Sequence, residues 1–139
     1  MTYATQQNMI DRFGQQELIE LTDRGNTGAI DATVLGQALA DTDAEINAYL
    51  VSRYTLPLAN IPPVLTRFAA DIARYMLYDT RATEQVKDRY DAAVKFLQAV
   101  AKGAVSLGMD PVNVLVPDAA SIRVQANTRV FNATNLSDY

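Results

Sequence analysis

Three prolines, Pro57, Pro62 and Pro63, interrupt a chain that otherwise keeps helical spacing, and they fix where it must turn. Upstream of Pro57, the run Ala48-Tyr49-Leu50-Val51-Ser52-Arg53-Tyr54-Thr55-Leu56 reads as the last turns of an amphipathic helix. Tyr49, Leu50, Arg53 and Tyr54 recur at three- and four-residue spacings, which puts an aromatic and apolar stripe with one cation on a single face. Leu56 precedes proline and is pushed out of the helical region, so the chain turns there.

The rest of the punctuation follows the same logic. Thr5 is placed to cap a short helix over about Gln6 to Phe13, which Gly14 breaks or kinks before a second piece runs to Leu21. Two glycines and an asparagine within Asp23 to Gly28 supply turn chemistry. Asp31 is a good N-cap for a helix that keeps its spacing from Val34 to Arg53, with Gly36 its one weak residue at a cost of about 1 kcal/mol against alanine. The acidic group Asp41, Asp43 and Glu45 on that helix reads as a solvated face or a capped restart. Asn60 is a candidate cap for the next helix, with Pro62 and Pro63 in its first turn and a run to about Tyr78. Thr83 caps the last one, whose stripe is Val86, Tyr90, Ala93, Val94, Leu97, Val100 and Ala101, and Gly103, Gly108 and Pro111 close it. Beyond it, Ser121 to Val124 and Thr128 to Phe131 alternate in the manner of short extended strands. The expected fold is therefore all-α, a compact bundle of about four main helices over residues 1–108, with an extended, partly β-like C-terminal tail over 109–139. The tail is too short of large apolar groups to build its own core.

Inventory narrows the chemistry. The 139 residues include no histidine, cysteine or tryptophan. That removes disulfides, the commonest general base and the commonest transition-metal ligand, and with them a Ser-His-Asp triad or a zinc site. Gly25-Asn26-Thr27-Gly28 lacks the lysine of a phosphate loop. Asp88 and Asp91 alternate with Lys87, Arg89 and Lys95 and read as charges that solubilise a helix rather than a proton-sharing pair. No cofactor, metal or catalytic residue is expected, and the chain is not read as an enzyme. A net charge of −4 with scattered Lys and Arg gives no electrostatic footprint for DNA. With no apolar run long enough to span a bilayer and no basic leader, a soluble cytoplasmic protein is expected.

Seven tyrosines against four phenylalanines is an excess of the residue that serves either half-buried core edges or protein contacts. Tyr49, Tyr54, Tyr75 and Tyr78 are expected to gather around the turn at Pro57. An arginine on an apolar stripe pairs with a carboxylate or lies at its edge, so Arg53 and Arg74 are expected near Asp71 and Asp79, with Asp71 the partner of Arg53.

These segments together resemble the head-to-tail connector family of Mu-like tailed phages. The resemblance rests on Tyr3-Ala4-Thr5, Met9, Phe13-Gly14, Glu17-Leu18 and Leu21-Thr22, then on Asp43-Ala44, Ile46, Tyr49-Leu50, Arg53-Tyr54 and Leu56-Pro57-Leu58. Asp71-Ile72-Ala73, Tyr75, Tyr90, Leu97, Gly103 and the tail's Arg129-Val130-Phe131 continue it. Its distinctive core is Tyr-Leu-x-x-Arg-Tyr-x-Leu-Pro-Leu, and Asn47-Ala48 stands where the family pattern leads one to expect an acidic residue and a glycine. The resemblance implies a small adaptor of the virion's capsid vertex, present in host cytoplasm during assembly. It would form a ring on the portal, commonly twelve-fold, that receives neck or tail-completion proteins and passes DNA as cargo. A negative net charge suits such a conduit. The residues expected at its contacts are Tyr49, Arg53, Tyr54, Pro57, Asp71 and Tyr75 on the helices, and Ile122, Val124, Arg129, Val130 and Phe131 in the tail. The alternative is a small non-enzymatic DNA-packaging or regulatory binding module.

Overall fold

A computed structural model describes residues 1–109. The described chain is all-α, built from α1 (Gln6–Phe13), α2 (Gln15–Thr22), α3 (Ala32–Leu50), α4 (Pro63–Tyr78), a single 3-10 turn (Asp79–Arg81) and α5 (Glu84–Ala101). The expected strands at 121–124 and 128–131 lie outside the described residues.

Local chemistry sets the helix starts. The Thr5 hydroxyl accepts from the Asn8 N–H at 3.2 Å and Asn8 Oδ1 accepts from the Thr5 N–H at 2.9 Å, a reciprocal cap for α1. Asp31 accepts from the N–H groups of Thr33 and Val34, and Thr83 from that of Val86. Helix α4 departs from expectation, because Asn60 does not cap it. Pro62 occupies the cap position in an extended conformation (φ −61°, ψ 141°) with no side-chain hydrogen bond. Pro62 itself precedes a proline, which bars it from the helical region, so the helix begins at Pro63. Between α1 and α2, Gly14 has φ +88°, a region that glycine enters without strain, and this turns one amphipathic segment into two short helices.

Helix α4 is the hub. One side of it sends Leu65, Phe68, Ala69 and Ile72 into a cluster with Ile46 and Leu50 of α3 and Ala93, Leu97 and Val100 of α5. Its other side sends Ala70, Ala73 and Leu77 into a second cluster with Met9 of α1, Leu18 of α2 and Leu35 and Ala38 of α3. The alanines on both sides let neighbouring helices approach closely, and burial of these side chains is worth roughly 1.5–3 kcal/mol for each large one. Two buried threonines are satisfied within the fold: Thr22 donates to the Leu18 carbonyl at 2.7 Å and accepts from the Asp31 N–H at 3.0 Å, and Thr42 donates to the Ala38 carbonyl at 2.8 Å. Among the described residues, no buried side-chain nitrogen or oxygen lacks a partner. None of the described helices is long and apolar enough to cross a membrane.

Candidate assembly surface

The distinctive run of the sequence closes α3 and then holds the far end of the described chain. Leu50, Tyr54 and Leu58 point into the core beside Leu107, which follows α5 by six residues. Tyr54 is 5% exposed, and its hydroxyl oxygen accepts from the Leu107 N–H at 3.0 Å. The Arg53 guanidinium lies over Gly103, so closely that a Cβ at that position would stand 2.8 Å from Arg53 Cζ. Gly103 also has φ +78°, so conformation and space both call for glycine there. A cation at this place lies just past the C-terminal end of α5, the negative pole of the helix dipole. Arg53 and Tyr54 thus fasten the root from which residues 110–139 continue. Pro57, after a cis Leu56–Pro57 bond, is exposed beside this root, and Val51 is 66% exposed at the end of α3.

Arg53 does not pair with Asp71. The turn at Val51 carries Arg53 towards the end of α5, and Asp71 instead sits under a group of other arginines. Its nearest cation is Arg89 of α5, Nη1 to Oδ1 at 3.9 Å. Arg12 of α1, Phe13, Arg67 of α4, Asp71 and Arg89 line one cleft of about 240 Å³. Asp71 is 6% exposed, and that burial raises its carboxyl above the ordinary value, outweighing the opposing pull of Arg89, Arg67, Arg12 and Arg74. The scattered arginines of the sequence therefore converge in space. Their signal was Arg67 and Asp71 one helical turn apart; nothing in the sequence pointed to Arg12 and Arg89 joining them.

Arg74 likewise misses Asp79. Its Nε donates to Glu17 Oε1 of α2 at 2.7 Å, and the Tyr78 hydroxyl donates to the same oxygen at 2.8 Å. The Arg74 guanidinium lies 4.5 Å from the centroid of the Phe13 ring. This is a clamp between α2 and α4.

The tyrosines do not share one cluster. Tyr75 stacks on Tyr90 with centroids 4.1 Å apart, and Tyr90 donates to Glu45 Oε1 at 3.1 Å. Burial and the neighbouring Glu45 push the Tyr90 hydroxyl up to about 12. Tyr49 packs at the edge of the main core, and Tyr78 serves the α2 clamp. Tyr3 donates to Asn47 Oδ1 at 2.6 Å while its N–H donates to Asp43 Oδ1 at 2.9 Å. Asp43 and Glu45 are thereby tied to structure, Asp41 alone of the acidic group is exposed, and α3 runs through this stretch without a restart. Asn47, where the family pattern suggested an acid, still supplies an acceptor. Ile122, Val124, Arg129, Val130 and Phe131 lie outside the described residues.

The described residues contain no group of three or more carboxylates, histidines or cysteines that could hold a metal ion. The described surface carries an exposed apolar turn, a fastened chain root and an arginine cleft.

Sequence comparison gives this surface its setting. The family described as Bacteriophage Mu, Gp36 matches over residues 3–126, and the chain belongs to it. It is 37% identical over 107 residues to the Mu-like prophage FluMu protein gp36 of Haemophilus influenzae, covering 77% of this chain and 76% of that one. It is 33% identical over 135 residues to Gene product J of Escherichia phage Mu, covering 95% of each chain. This is a protein of Mu-like phages.

Proposed function

We propose that the chain is a structural head-to-tail connector, a subunit of a ring that sits on the portal and bridges the capsid to neck or tail-completion proteins while DNA passes through. The observation that carries this reading is the use of its most distinctive run. Tyr49 to Leu58 contributes no reactive group. Arg53 and Tyr54 instead hold Gly103 and Leu107, the root of a C-terminal segment that the match to Gene product J includes for most of its length. A helical body that holds Gly103 and Leu107 in place suits a ring subunit that reaches its neighbour or the portal through the residues that follow. Such a protein acts in the virion, at the capsid vertex, after assembly in host cytoplasm, and it needs no cofactor and catalyses no reaction.

The alternative, a small non-enzymatic DNA-packaging or regulatory module, draws on the arginine cleft alone. Complementation separates the two. A phage lacking this gene should accumulate DNA-filled heads and free tails that join when the purified protein is added. Empty heads would favour the packaging module, and heads that take tails without the protein would end the connector reading.

A further inference from the structure

We propose that the arginine cleft formed by Arg12, Arg67 and Arg89 is the acceptor half of a contact between copies of this chain, taking a carboxylate side chain from the acidic surface of a second copy. The proposal rests on the ring reading and gives it a specific joint. The three arginines reach the cleft from three helices, α1, α4 and α5, so the fold and not the local sequence assembles it. Arg12 and Arg67 are exposed, and among the described residues neither has a carboxylate within 4 Å. Arg89 reaches Asp71 only at 3.9 Å with half its side chain exposed. The Arg67 guanidinium lies 5.4 Å from the centroid of the Phe68 ring, and among the described residues the N–H edges of Arg12 and Arg67 have no carboxylate partner, which suits a carboxylate in two-point contact.

Two features favour an acidic side chain over a nucleic acid backbone. At about 240 Å³ the cleft suits one or two side chains, whereas a bound strand needs a basic track that follows successive phosphates. Phe13 forms one wall and offers apolar contact to the stem of such a side chain. Charge balance then points to the same chain as donor. The protein carries a net −4 while the cleft holds three arginines against one aspartate, so the surface outside it is more acidic than the whole. A basic patch on one face and acid elsewhere is the asymmetry that a head-to-tail ring uses, since each subunit presents two different patches.

The test reverses the two exposed rim charges, in Arg12→Glu/Arg67→Glu, with Arg12→Gln/Arg67→Gln as the milder variant that also controls for loss of the Arg67 guanidinium over the Phe68 ring. Native mass is read for each across protein and salt concentration, with circular dichroism to confirm helicity. The wild type should assemble and loosen with added salt, and the reversed variant should dissociate at roughly 30- to 100-fold higher protein concentration, the neutral one lying between. Assembly of the reversed variant with an unchanged salt response would overturn the cleft contact and leave the ring standing. A wild type that stays monomeric alone and with its portal would remove the ring and this joint together. A third arm titrates a short labelled DNA duplex: binding by the wild type that the reversed variant loses, with assembly unaffected, would assign the cleft to phosphate and overturn the carboxylate proposal.

Discussion

Gly103 shows how one residue can depend on two unrelated constraints. Its φ of +78° is strained for any other residue, and its missing Cβ leaves the space that Arg53 occupies. Gly103→Ala should lower stability by about 1–3 kcal/mol in urea unfolding. Adding Arg53→Ala should recover the part due to crowding and leave the part due to backbone strain. Asp71 makes a different point at the same scale. Burial raises its carboxyl above the ordinary value of 3.8, so the native state holds that proton more tightly than the unfolded chain does. Its contribution to stability is complete below the ordinary value and is lost as pH rises through the raised one. Wild type should therefore lose stability relative to Asp71→Asn as pH climbs from below 4 towards neutrality, read as a difference in Tm; a constant difference would refute it. Residue partners were the least legible part of the sequence. Arg53 and Arg74 were recognisable as structural cations, but Gly103 and Glu17 stand 50 and 57 positions away from them. Only packing brings such pairs together.

Helices were far more legible, because their ends are written in local chemistry. Thr5, Asp31 and Thr83 cap the helices they precede, and Gly14 separates α1 from α2. Asn60, a favourable capping residue by type, does not cap α4, because Pro63 bars Pro62 from the helical region and the helix starts only after it. What the helical pattern did not reveal is how the short N-terminal pair docks. The clamp of Arg74 and Tyr78 on Glu17 supplies that docking, half-buried and aligned with a 2.7 Å contact. Arg74→Met should cost about 2 kcal/mol, the scale of a lost charge-assisted hydrogen bond that leaves its partner unpaired. The loss should be local: amide exchange in α2 should quicken well before that of α4 and α5, and uniform quickening would mean that α2 does not dock independently.

For the whole molecule, two core clusters of described residues share α4. Deleting 118–139 should leave the helical signal and unfolding midpoint of the body nearly unchanged while abolishing assembly; assembly that survived the deletion would detach the arm from its proposed role. The contact residues named from the sequence divide along the same line. Tyr49, Arg53, Tyr54, Asp71 and Tyr75 all have partners inside the body, whereas Pro57 and the neighbouring Val51 remain exposed. The most direct test of the connector account is native mass of the full chain, alone across a wide concentration range and after mixing with the portal of the same phage. The account predicts a discrete ring, commonly of twelve subunits, formed alone or on the portal. A monomer at every concentration that also leaves the portal's mass unchanged would contradict it.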